Sequence, residues 1–225
     1  MKHTLQHIQY EFNSKKRLKF IFFWGHQPAK DGSVTKSCFS QWWEDGFTVK
    51  NETFKTAEHW MMAEKARIFN DEEKRNKVLT VNHPHEAKQL GRKVKNFDPV
   101  IWDEHKFNVV VEGNHHKFSQ HEHLQQFLLN TKNRVLVEAS PRDKIWGIGM
   151  SENDEHITNP NLWKGQNLLG FALMEVRDQL KKDAGIKSQE PRAKSQEPRA
   201  KSQEPRAKSQ EPRAKSQDKK FVNSW

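Results

Sequence analysis

From Lys187 the chain reads KSQEPRA four times in succession and then begins a fifth copy. Nothing in that text can build a core. The unit contains no large apolar residue, so its seven-residue period is not the seam of a coiled coil. Proline recurs at Pro191, Pro198, Pro205 and Pro212. Each one lacks an N–H and crowds the preceding turn, so no helix runs through them. Residues 184–225 therefore read as a low-complexity, disordered tail, and residues 1–183 must hold the whole folded domain. That length suits one sizeable core.

The split also explains the composition. Hydrophobic residues are only 33% of the chain, and in the tail the large ones are confined to Ile186 and the terminal FVNSW. The tail carries 11 Lys+Arg against 5 Asp+Glu, which is +6 of the formal +10; the other 183 residues carry 28 against 24. High basicity is thus mostly a tail property. It could draw the tail weakly to nucleic acid or to acidic surfaces. Near-identical copies read more simply as a solvated repeat expansion without a partner. Cys38 is the lone cysteine, so no intrachain disulfide forms, and a small buried thiol is its simplest role. The run LKFIFFW is too short for a membrane span, and no signal peptide is visible. The expectation is a soluble, cytoplasmic protein with no membrane contact, and its oligomeric state stays open.

Within the domain, residues 1–18 are polar and read as mobile. KFIFFW (19–24) and RVLVEAS (134–140) are short apolar, β-branched and aromatic runs of the kind that form buried strands. Short extended pieces are expected around Asp45-Gly46 and Asn51. Helical text starts at Thr56, a good N-cap, and further helices are expected over 71–80, 84–92, 98–113 and 118–130. A last helix runs from about Asn167 to Lys182, with Leu169, Leu173, Val176 and Leu180 at helical spacing. The fold class is α+β, a single predominantly helical domain with a few short strands.

One residue in this text needs explaining. In TAEHWMMAEKARIF, Glu58 stands among large apolar side chains. At a helix start a carboxylate can simply face the positive end of the dipole. But Glu58, Met62, Lys65 and Phe69 share one stripe. An acid and a base two turns apart on an apolar stripe, about 10 Å along the axis, suit a pocket wall better than an ion pair. Asp143 follows a strand in a Pro/Gly loop beside Trp146, and such loops often carry function. Two carboxylates near a stacking aromatic such as Trp102 would suit attack on a glycosidic bond. One handles water, negative charge steadies the oxocarbenium-like centre, and the indole offers a face to a flat base. Spacing alone does not bring the three together.

Other chemistries are weakly signalled. Twelve histidines include His83/His85, His115/His116 and His121/His123, but no HExxH and no cysteine pair accompanies them. Solvated histidines on polar helices explain them better than a metal site. There is no phosphate-binding glycine loop of Walker type and no GxGxxG.

Six stretches occur in order: FFWGH, FSQWW, TAEHWMMAEKARIF, AKQLGR, VEASPRDKIWGIG and NLLGFALMEVR. Together they resemble the YbiA-like, NADAR family over about residues 18–182. The resemblance implies an N-glycosidase, a hydrolase that needs no cofactor and no metal. Its substrate would be a small ribosyl or nucleotide compound. Ribosylamino-pyrimidine phosphates of riboflavin biosynthesis are preferred, with release of ribose 5-phosphate. It also implies site residues. The family acid falls on Glu58, its mid-chain tryptophan on Trp102 and its loop aspartate on Asp143, ahead of Trp146 and Gly147. Lys65, Arg92 and Asn167 match further substrate-binding positions, and the two cations are assigned to phosphate. FSQW stands where many relatives read FSNF, and SPRD also departs from some, so substrate choice is the least secure inheritance. Two alternatives remain: an ADP-ribosyl-guanine hydrolase acting on modified nucleic acid, and a non-catalytic ADP-ribose or nucleotide-binding module.

Overall fold

The computed structural model describes residues 2–185; the tail, with the disorder and nucleic-acid contact expected of it, lies almost wholly outside them. In order come α1 (Leu5–Asn13), β1 (Phe20–Phe23), β2 (Phe47–Val49), β3 (Glu52–Phe54), α2 (Ala57–Ile68), α3 (Glu72–Thr80), α4 (Pro84–Gly91), α5 (Pro99–Gln120), α6 (Glu122–Leu129), β4 (Val135–Glu138) and α7 (Leu168–Asp183). Seven helices and four short strands among the described residues make the α+β, helix-dominated fold expected from the sequence.

The two apolar runs pair with each other. β1 and β4 lie parallel, with Phe20 opposite Val135 and Phe23 opposite Glu138. A parallel pair needs covering on both faces, which explains why both strands read as continuous apolar runs. α7 covers β4 so closely that a Cβ on Gly170 would collide with the Leu136 carbonyl. β2 and β3 form a hairpin whose turn residues Lys50 and Asn51 have φ of 48° and 69°. That is the turn sense that matches strand twist. Phe47 and Phe54 of the hairpin stack on each other, and the Trp60 indole packs edge-on to Phe54, which joins the hairpin to the core.

Two expectations need correcting. Residues 1–18 are not simply mobile, because α1 occupies half of them. Thr4 caps α1 by accepting from the His7 N–H, and Ile8 is 2% exposed. Lys2 and His3 bind Asp178 of α7 at 2.6 and 3.1 Å. One buried side chain, one ion pair and one histidine hydrogen bond thus anchor a segment whose composition is polar. The second correction concerns α5, which runs unbroken past Gly113. A Cβ there would strike the Trp60 indole of α2, so this glycine permits a close helix crossing and does not end a helix. The break falls at His121, where the backbone turns extended.

Candidate active site

The carboxyl ends of β1 and β4 open on a cavity of about 920 Å³. Ligands in open α/β sheets sit in the corresponding crevice, beyond the carboxyl ends of the strands. α2 and α4, packed on each other, line it together with the segments that follow β1 and β4 and with Ser40–Trp42.

Glu58 is the second residue of α2. Thr56 caps the helix, and the Glu58 N–H donates to the Gln41 carbonyl at 2.9 Å. The first turn is therefore tied to the loop before β2, and its acid turns inward. Glu58 is 3% exposed, which rules out a dipole partner at the surface. Its Oε1 is buried without a hydrogen-bond partner. Burial pushes its pKa up to about 6, against the opposing pull of Lys88, the Trp42 indole and Arg92. A buried carboxylate without a partner costs free energy, so it needs a functional reason.

Asp143 lies on the same cavity. Its Oδ1 accepts from the N–H groups of Ile145 and Trp146 at 2.9 and 2.8 Å, which closes a tight turn and fixes the carboxylate. Gly147 sits under this turn and does not line the cavity. A Cβ there would lie 2.9 Å from the Glu138 carbonyl and 3.0 Å from the Asp143 carbonyl, so only glycine lets the loop fold back on the strand end.

Of the other expected residues, Lys65, Arg92 and Trp146 line the cavity. Lys65 Nζ lies 4.0 Å from the Phe97 ring centre and 5.6 Å from that of Trp102. Burial lowers its pKa. Trp102 is not among the residues that line the cavity; it lies beside Lys65, where a ring can hold the cation. Asn167 is fully buried and also off the wall. Its side chain accepts from the Glu138 N–H and donates to the Leu136 carbonyl, each at 2.9 Å, so it clamps β4. Its φ of 57° places it in the left-handed region, which Asn tolerates better than most residues.

Several wall residues had no sequence signal strong enough to find them. Trp42, Trp24, Lys88, Arg142 and Lys144 come from distant loops and from α4. Glu138 closes β4 as an acid at the end of an apolar run, and that abrupt change was the available clue. Its Oε2 is buried without a partner. Burial, the Asp143 carboxylate and Glu58 push its pKa up to about 8, with Lys88 opposing. Gln41 also lines the cavity. Asn114 Nδ2 donates to the Val110 carbonyl and to Gln41 Oε1, which leaves Gln41 Nε2 buried and unpartnered.

Charge on the wall follows a pattern. Lys65, Lys88, Arg92, Arg142 and Lys144 line the cavity, and none forms an ion pair among the described residues. Elsewhere lysines and arginines pair readily, as in Arg67–Glu64 and Lys77–Glu73. Among the described residues no group of three or more His, Cys, Asp or Glu is arranged to hold a metal ion. No helix there is long and apolar enough to cross a membrane.

Comparison with known proteins matches this geometry to a family. Residues 22–181 match the NADAR domain. The N-glycosidase R617 of Acanthamoeba polyphaga mimivirus is 43% identical over 166 residues, 72% of this chain and 96% of that protein. The N-glycosidase YbiA of Escherichia coli is 34% identical over 132 residues, 59% of this chain and 74% of that one. The plant riboflavin biosynthesis protein PYRR of Zea mays is 33% identical over 135 residues, 57% of this chain but 20% of that protein. The NMR structure of E. coli YbiA superimposes with a TM-score of 0.60 at 29% identity, covering 75% of this chain and 89% of that one.

Proposed function

The chain belongs to the NADAR domain family and is a hydrolase of N-glycosyl compounds, and from that premise we propose that its substrate is a ribosylamino-pyrimidine phosphate, cleaved to ribose 5-phosphate and the free amine. The observation that carries this reading is the set of five cations, unpaired among the described residues, around a cavity that also holds the buried Glu58 carboxylate with one oxygen unpartnered. Cations without partners suit a phosphate; a buried carboxylate with a free oxygen suits work on water. The plant riboflavin relative points to the same substrate class.

In the mechanism, Glu58 takes a proton from water as the water oxygen bonds C1′. The Asp143 carboxylate steadies positive charge on the ribosyl centre. Lys65 and Arg92, with Lys88 and Arg142 nearby, bind the phosphate. The base stacks on a tryptophan of the wall, Trp42 or Trp146, while Trp102 positions Lys65. Trp146 and Gly147 hold the loop that carries Asp143, and Asn167 holds the strand beneath it.

A cavity of about 920 Å³ is near the upper end for small-molecule sites. This favours one second reading, hydrolysis of an ADP-ribosyl group from guanine in nucleic acid. The deciding experiment incubates purified protein with the ribosylamino-pyrimidine phosphate and assays ribose 5-phosphate, with Glu58→Gln as control. Release by the wild type alone supports the proposal. No release, together with cleavage of ADP-ribosylated guanine in DNA, replaces it with the second reading. Saturable binding of ADP-ribose without any product would indicate a binding module.

A further inference from the structure

We propose that Glu138 is the general acid of this site and hands a proton to the leaving nitrogen as the C1′–N bond breaks. The inference rests on the N-glycosidase reading above and adds the proton donor which that reading lacks. An amine is a poor leaving group from carbon unless its nitrogen is protonated, so a site that only activates water is half equipped.

Three observations converge on Glu138. First, it shares the cavity with Glu58 and Asp143, and its Oε2 is buried without a hydrogen bond. Structural acids in this protein look different. Asp71 accepts from the N–H groups of Lys74 and Lys95 at 3.1 and 2.8 Å, and Asp98 accepts from Val100 at 2.8 Å. Those carboxylates hold backbone together; the Glu138 side chain holds nothing.

Second, the backbone of Glu138 is clamped on both sides. Its N–H donates to Asn167 Oδ1 at 2.9 Å, and its carbonyl accepts from Ile148 at 3.0 Å. The close approach that Gly147 permits packs the loop against the same carbonyl. A residue fixed so firmly at a strand end, with a free carboxyl group, is built to present that group.

Third, the neighbours divide the labour. Asp143 gives Oδ1 to two backbone N–H groups, which fixes it as an acceptor. Both acids feel Lys88 and the Asp143 carboxylate, but Glu58 also has the Trp42 indole and Arg92 to favour its charged form, whereas Glu138 has the Glu58 carboxylate against it. Burial and these neighbours put Glu138 up to about 8 and Glu58 up to about 6. Near neutral pH the first holds a proton and the second accepts one. Pairs of groups pushed apart in this way mark acid and base assignments.

The step balances. The C1′–N electron pair moves to nitrogen, which takes the Glu138 proton; water oxygen bonds C1′, and Glu58 takes the water proton. Exchange with solvent, or transfer from Glu58 to Glu138, restores both groups.

The test compares wild type and Glu138→Gln on two compounds over pH 5–9. One is the ribosylamino-pyrimidine phosphate. The other is a nicotinamide ribosyl phosphate, whose pyridinium base leaves neutral and needs no proton. On the first compound Glu138→Gln should lose about 10²-fold or more in kcat, and the alkaline limb of the pH profile should vanish. On the second the loss should be no more than about threefold, because acid assistance contributes nothing there. Equal losses on both compounds would overturn the proposal in favour of a packing role. Independently, infrared difference spectra at pH 7 should show a protonated carboxyl band that Glu138→Gln lacks, and its absence also overturns the proposal. Failure of the wild type to cleave either compound would count against the substrate reading, and the infrared band would then decide Glu138 separately.

Discussion

Buried charge is handled in opposite ways at two places in this protein. Lys117 of α5 is fully buried, and its Nζ donates to the carbonyls of Cys38 and Ser40 at 2.6 and 3.0 Å. Burial pulls its pKa down to about 8, yet the cation has partners and pins the loop that leads to Gln41 and Trp42. Glu58, buried, and Glu138, half-buried, line the cavity, and each keeps a buried oxygen without a partner. A satisfied buried charge organises structure; an unsatisfied one at a cavity is held ready for something that arrives. Burial alone does not separate the two roles, but hydrogen-bond accounting does.

Glu58→Gln is the hardest test of this distinction. The change keeps the shape of the side chain and removes the base. Turnover should fall by about 10²–10⁴-fold, while the melting temperature stays level or rises, since an unpartnered buried charge is gone. A clear drop in stability with activity retained would place Glu58 in the class of Lys117 and break the comparison. Lys117→Met should show the reverse. One buried and one part-buried carbonyl lose a charged donor, so unfolding in denaturant should show a loss of about 1–3 kcal/mol. Below the new melting temperature, kcat should stay within about threefold of wild type, because the lysine donates only to backbone.

The wall cations sharpen the comparison from the binding side. Lys65→Met should raise KM about tenfold with little change in kcat, because a phosphate remote from C1′ is bound equally in ground and transition states. Lys88→Met should raise KM similarly and also lower kcat, because Lys88 holds down the pKa of Glu58 and Glu138. Stability should hardly move, since neither lysine makes an ion pair among the described residues. Steady-state kinetics at two salt concentrations check this, and the effects should shrink at high salt.

What the sequence disclosed follows the same division. Glu58 could be found because an acid on an apolar helical stripe contradicts its surroundings within fourteen residues of text. Asp143 could be found because turn residues and an aromatic cluster beside a strand. Trp102 of α5 lies beside Lys65, whereas Trp42, from the loop before β2, lines the cavity. Helix rotation depends on packing, here on Gly113 admitting Trp60, and spacing does not encode it. Glu138 stood in plain view at the end of VLVE. Its role depends on which strand lies beside it and which loop folds back over it, both long-range facts. α1 was missed because its anchors, Glu175 and Asp178, lie more than 170 residues away.

The smallest expected effect tests the comparison through pH. Glu138 has a folded pKa raised from 4.5 to about 8. Between those values the native state holds more protons on this group than the unfolded chain does. Stability from this group is therefore fully present below pH 4.5 and is lost as pH rises through about 8. Lys117 has a folded pKa lowered from 10.5 to about 8. There the unfolded chain holds more protons, so stability is fully present above pH 10.5 and is lost as pH falls through about 8. The two regions thus impose slopes of opposite sign, in windows that meet near pH 8. Melting temperatures measured from pH 4 to pH 11 should show a shallow minimum there. Glu138→Gln should flatten the falling limb and Lys117→Met the rising one, each by about 2–4 °C for every kcal/mol removed. If Glu138→Gln leaves the falling limb unchanged, its carboxyl group is not strained by burial, and the contrast with Lys117 rests on Glu58 alone.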